Sequence, residues 1–114
     1  MVLTFNITEE NSIQLLKLGG ELIDKNQATE LMIAVDELLE LGKSKLIIDL
    51  TDLKYMNSSG LNVLIQLLTK TRTKGGESVI YNVNKKVNEL LIITKLNTLF
   101  KVASTKEEAV ALLG

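Results

Sequence analysis

The sequence predicts an α/β fold: a mixed, mostly parallel sheet of about five strands with about four helices, in the order β-β-α-β-α-β-α-β-α. Three observations carry that prediction. A short β-branched run, Lys45-Leu46-Ile47-Ile48-Asp49-Leu50, is nearly continuous in apolar character, as a central strand covered on both faces should be. Apolar residues recur at three- and four-residue spacing on either side of it, which builds helical stripes. At the N-terminus the rhythm is instead two, with Leu3, Phe5 and Ile7 alternating with polar neighbours.

Each element follows in turn. Leu3–Thr8 reads as a half-buried strand, Asn11 and Ser12 supply a turn, and Ile13, Leu15 and Leu18 continue toward Gly19-Gly20, so the first two strands form a hairpin. Asp24 opens a helix whose stripe is Ala28, Leu31, Met32, Val35, Leu38 and Leu39. With Gln27 three residues on, Asp24 makes a capping box, and Gly42 is placed to end the helix in a left-handed C-cap. After the central strand, Ser58–Thr73 is helical, with Leu61, Leu64, Ile65 and Leu68 on one stripe, until Gly75-Gly76 breaks it. Ser78–Val83 is a strand, and Lys85–Lys95 is a helix with Val87, Leu90 and Leu91 inward. Leu99–Val102 is a short edge strand. Ser104-Thr105-Lys106-Glu107 reads as a capping box opening a last helix through Leu113.

Composition narrows the chemistry. The 114 residues are enough for one domain, spanning 1–114, and 46% hydrophobic against 24% charged residues gives it a real core. Thirteen basic and fourteen acidic side chains leave a net charge of -1, with no basic stripe to meet a nucleic acid. Without cysteine there are no disulfides, thiolate metal sites or thiol nucleophiles, and without histidine the commonest general base and zinc ligand are gone. No apolar run approaches the roughly 18–20 residues of a membrane span, and there is no basic-then-apolar leader, so the expected compartment is the cytoplasm.

The stretch richest in chemistry is Asp49-Leu50-Thr51-Asp52-Leu53-Lys54-Tyr55-Met56-Asn57-Ser58-Ser59-Gly60-Leu61. A buried strand passes through a loop into a Ser-Ser-Gly turn that opens an amphipathic helix. In open α/β sheets, functional groups gather at the carboxyl ends of strands. A hydroxyl there meets unpaired backbone N–H groups and the positive end of a helix dipole. Ser58 and Ser59 fit helix capping as well, and the two readings are compatible, since an exposed cap can also accept a phosphate. A serine nucleophile is disfavoured: Ser-Ser-Gly is not a nucleophile elbow, and a phosphate-cradling Gly-x-x-x-x-Gly-Lys loop is missing too.

Met56-Asn57-Ser58-Ser59-Gly60-Leu61 resembles the signature of STAS-domain anti-sigma factor antagonists, bacterial partner-switching phosphoproteins. Gly20-Glu21-Leu22 is similar to that family's Gly-Glu-Leu-Asp segment, Gly75-Gly76 to its turn before the fourth strand, and Leu99-Phe100-Lys101-Val102 with Glu107-Glu108-Ala109 to its C-terminal end. The resemblance implies a STAS-like fold and a protein that regulates transcription without being an enzyme. In its unphosphorylated form it would bind an anti-sigma factor that is also a serine kinase and so release a sigma factor. Phosphorylation of Ser58 would block binding, and a serine phosphatase would restore it. Glu21, Asn57, Ser58, Ser59, Gly60 and Leu61 would form the docking surface, with Leu61 as an exposed apolar anchor. No cofactor, metal, nucleic acid or membrane is implied, and the chain would be a monomer or a weak homo-oligomer. Two positions depart from the family's pattern: Asn57 and Ile23 stand where it usually carries Asp. A domain that binds without being switched, as a scaffold or nucleotide-sensing subunit of a larger signalling or lipid-transport complex, is the alternative that Asn57 suits.

Overall fold

A computed structural model describes residues 3–95 and 98–113. Its elements run β1 (Leu3–Glu10), β2 (Ile13–Leu22), a 3-10 turn (Lys25–Ala28), α1 (Thr29–Glu40), β3 (Lys45–Met56), α2 (Ser58–Thr73), β4 (Glu77–Tyr81), α3 (Lys85–Ile93), β5 (Lys101–Ala103) and α4 (Lys106–Leu112). The five strands lie in sequence order, β1 antiparallel to β2 and every later pair parallel. The predicted α/β class and order of elements are therefore the ones observed.

Local chemistry sets the boundaries. Asn11 and Ser12 both take positive φ, 53° and 68°, which is the backbone a two-residue hairpin turn requires. Asp24 caps the 3-10 turn in a capping box with Gln27, and α1 continues from it. Gly42 has φ 77°, the left-handed exit expected after α1. Asn82, at φ 60°, stops β4 at Tyr81, two residues before the sequence-based limit. The edge strand begins at Lys101 rather than Leu99, because Phe100 turns into the core as a plug. The last cap also moves by one residue. Thr105 Oγ1 accepts from Glu108 N–H, and Glu108 reaches back to Ser104 N–H, so Thr105 caps and Ser104 does not.

Strand alternation splits the interior in two. Leu16, Leu18, Leu46, Ile48, Leu50 and Ile80 face a layer of α1, α2 and α3, whereas Ile13, Ile47, Val79 and Ala103 face α4. Parallel strands added in one direction through right-handed crossovers leave all their connecting helices on the same face. α4 follows β5 and packs on the other face. It covers only one end of that face: past Ile47 the strand turns polar there, with Lys17 and Asp52 paired at 3.3 Å in solvent.

One buried polar contact joins the helix layer to the sheet. Ser78 Oγ donates to Thr71 Oγ1 at 2.8 Å, and Thr71 Oγ1 donates to Leu67 O at 2.6 Å, so neither hydroxyl is left unpaired. Beside it, Glu77 gathers Arg72 of α2 (3.1 Å) and Lys101 of β5 (3.2 Å). Burial pushes the Glu77 carboxyl up, but the Ser78 N–H, Lys101 and Arg72 together outweigh it and hold it below its ordinary value of 4.5. A carboxyl with a lowered folded pKa stabilises fully above its unfolded value and loses that contribution as pH falls through the folded one. Glu77→Gln is therefore expected to lower stability at pH 7 and to change it little at about pH 2, where the protonated Glu77 is as neutral as the glutamine. Urea unfolding at the two pH values checks this, and equal losses at both would exclude the charge as the cause.

Candidate functional site

The site forms where β3 outruns β4. Pairing with β4 ends at Asp49, whereas pairing with β2 continues to Leu22 opposite Met56. Along this stretch the four steps from Lys17 to Glu21 on β2 face six from Asp49 to Tyr55 on β3, so β3 carries the surplus as bulges. The loop expected between Leu50 and the Ser-Ser-Gly turn is therefore strand. Its exposed Thr51, Asp52, Lys54 and Tyr55 lie where α4 does not reach or on the edge that β4 has left. Side chains take over on that edge: Asn84 Nδ2 donates to Leu53 O at 2.7 Å and Asn82 Nδ2 to Thr51 Oγ1 at 2.8 Å.

From Met56 the chain enters α2 with one residue between, and that residue is the cap. Asn57 Oδ1 accepts from Gly60 N–H at 2.9 Å, so capping falls to Asn57 and not to Ser58 or Ser59. The other end of the same amide, Nδ2, donates to Ile23 O at 3.2 Å. A carboxylate could make the first bond but not the second. On the β2 side, Gln27 Oε1 accepts from the N–H groups of Ile23 and Asp24, and its Nε2 donates to Glu21 O. Two neutral amides thus hold the segments that flank the turn, and Asp24 serves as the cap of the 3-10 turn.

Gly60 is fixed by contact. A Cβ built on it would lie 1.9 Å from Leu22 O, so the first turn of α2 sits directly on the backbone of β2. Leu61 follows it inward and is only 3% exposed. The exposed apolar anchor expected there is thus part of the core, because its place on the α2 stripe points it under the sheet. Met56 is buried as well.

What remains at the surface is Ser58, Ser59, the partly exposed Glu21 and Asn57, and Tyr55. The two serines open on different grooves. Ser58 lines one of about 350 Å³ with Tyr55, Lys86, Glu89, Leu90 and Ile93, and Ser59 lines one of about 360 Å³ with Asp24, Asn62 and Gln66. Neither hydroxyl has a hydrogen-bond partner among the described residues, so both are chemically available. The apolar surface beside Ser58 comes from Tyr55, 46% exposed, and Ile93, 77% exposed. The α3 contribution was missed from sequence. Its one signal was Ile92-Ile93, two adjacent isoleucines that a helix already buried through Val87 and Leu91 has no core positions for.

Two substitutions test this assembly. Gly60→Ala is expected to destabilise the protein by about 3 kcal/mol, the upper range for forced overpacking, because backbone must move to admit the methyl. Asn57→Ala is expected to cost about 2 kcal/mol by removing both cap and bridge, and Asn57→Asp less, since the cap survives. Denaturant midpoints order the three variants. A Gly60→Ala protein as stable as the parent would show that the first turn of α2 does not rest on Leu22.

Comparison with known proteins agrees with this geometry. The STAS domain family matches residues 4–109. An anti-sigma-B factor antagonist of Bacillus subtilis (strain 168) is 32% identical over 101 residues, covering 89% of this chain and 90% of that one. A Thermotoga maritima relative is 31% identical over 74 residues, which is 65% of this chain and 66%, just under two thirds, of that one. Among solved structures, the Thermotoga maritima protein TM1081 superposes with a TM-score of 0.85 at 26% identity, over 96% of this chain and 93% of that one. A β3 that passes at Met56 into Asn57-Ser58-Ser59-Gly60 at the head of α2, within a sheet of this order, therefore has a family: the chain belongs to the STAS domain family, in the company of anti-sigma factor antagonists.

Proposed function

We propose that this chain is an anti-sigma factor antagonist that works as a phosphorylation switch. Unphosphorylated, it binds an anti-sigma factor that is also a serine kinase, and a sigma factor is released. Phosphorylation of Ser58 blocks binding, and a serine phosphatase restores it. The chain is the substrate in this cycle, acts in the cytoplasm and occupies the domain 1–114. The observation that carries the reading is the Ser58 side chain: exposed, without a hydrogen-bond partner among the described residues, and held out from a first helical turn that Asn57 and Gly60 fix in place. Similarity to anti-sigma F and anti-sigma-B factor antagonists supports the partner class.

The physics of such a switch is local. A phosphate brings roughly -1.5 to -2 charges and three acceptor oxygens. At the head of α2 the helix dipole favours it, so the fold has no reason to rearrange. A partner that must desolvate it on docking does have a penalty to meet, and a hundredfold loss of affinity needs only about 2.7 kcal/mol. The docking surface on this reading is Glu21, Asn57, Ser58 and Ser59 with Tyr55 and Ile93 as its apolar part. Gly60 and Leu61 serve beneath it as support.

A second reading, a STAS domain that binds as a scaffold or nucleotide-sensing subunit without being switched, is favoured by one observation. Both polar ends of the Asn57 amide are engaged within the fold, and no carboxylate stands in its place to align a hydroxyl or a kinase's metal. Phosphopeptide mapping after incubation with ATP and native cell extract separates the two, with Ser58→Ala as the control. Phosphate on Ser58, absent from the variant, is the expected result. Capture of a kinase-type partner with no phosphate on Ser58 would replace the switch by the scaffold.

A further inference from the structure

The groove beside Ser58 has a charged wall that nothing in the resting protein uses. Lys86, Glu89, Leu90 and Ile93 follow the three- and four-residue spacing of one helix face, and that face of α3 looks across at Ser58, while Val87 and Leu91 enter the core. Lys17, Lys43, Lys70, Arg72, Lys74, Lys101 and Lys106 each lie within 3.3 Å of a carboxylate. Lys86, like Lys45, Lys54, Lys85 and Lys95, has no such partner among the described residues, and of these five it alone lines the groove beside Ser58. Its chain neighbour Lys85 points elsewhere, into a separate groove with Asn82, Asn84 and Asn88.

We propose that Lys86 is the cation that receives a phosphate on Ser58, so that phosphorylation ties the head of α2 to α3 and closes the notch between Tyr55 and Ile93. This rests on the reading of Ser58 as the modified residue. An ammonium on a flexible four-carbon stem suits the task, since it brings three donors and can follow a phosphate that leaves the helix head at an angle. The other ionisable groups around the site are Glu89 on α3, Tyr55 and Lys54 on β3, and Glu21 at the end of β2. Glu89, one turn beyond Lys86 on the same face, repels a phosphate and steers it toward the Lys86 end of the groove. The bridge would replace an open apolar shoulder, where Ile93 is 77% and Tyr55 46% exposed, with a closed and strongly hydrated one. A partner seated on that shoulder would lose its apolar contact and its access together, with no refolding of the antagonist.

The test uses the full chain with phosphoserine encoded genetically at position 58, so that no kinase is needed. Phosphorus NMR follows the second ionisation of the phosphate with pH. Lys86→Gln is expected to raise that pKa by about 0.5 unit, because an adjacent cation favours the dianion. Glu89→Gln is expected to lower it, and Lys85→Gln to leave it unchanged. A Lys86→Gln protein that titrates with the parent, or a Lys85→Gln shift of equal size, overturns the contact. A kinase-containing extract that leaves Ser58 unlabelled in the natural protein counts against the switch reading alone. The titration result stands or falls without it.

Discussion

The end of the molecule that carries the candidate site depends on one backbone contact, the seating of Gly60 on the carbonyl of Leu22. The contact fixes how far β3 must run, since α2 can start only where its first turn reaches the end of β2. It thereby commits β3 to residues past its last pairing with β4 and to the bulges that absorb the surplus. It also makes Asn57 the cap, because the residue between Met56 and Ser58 is the one whose side chain meets both Gly60 N–H and Ile23 O. Ser58 and Ser59 are left exposed as a consequence of this geometry.

Topology supplies the surroundings. With strands in sequence order and the connecting helices on one face, α2 lies between α1 and α3, and its head is flanked by α3 on one side and by the start of the 3-10 turn at Asp24 on the other. That is why each serine has a groove, and why the two grooves differ. One is walled by the apolar and charged face of α3, the other by Asp24 and the polar side of α2 itself. The opposite face of the sheet, only partly covered by α4, contributes to neither.

Much of this was legible in the sequence, and the failures have definite causes. The limits of α2 were readable because a clean stripe ends at Gly75-Gly76. Its cap was not, since Asn and Ser are equally good caps and only the length of β3 chooses between them. The second half of β3 looked like loop because Thr51, Asp52 and Lys54 carry the polarity of residues that no helix covers. Leu61 sits where a helical stripe meets a turn, so periodicity allowed it both core and surface, and burial decided for the core. The groove that Ser58 and Lys86 both line joins residues far apart in the chain, through a crossover whose packing no local pattern encodes.

Consecutive residues on a helix diverge by about 100° around its axis. Ser58 and Ser59 are therefore nearly interchangeable in sequence and quite distinct in direction. An enzyme arriving along the α3 side meets one hydroxyl, and an enzyme arriving along the Asp24 side meets the other. Exchanging them would mean turning α2 by more than a quarter revolution, which the seat of Gly60 on Leu22 forbids. The difference between the two hydroxyls thus lies in the rotational phase of a helix, and on the proposed switch a kinase would distinguish them by its angle of approach.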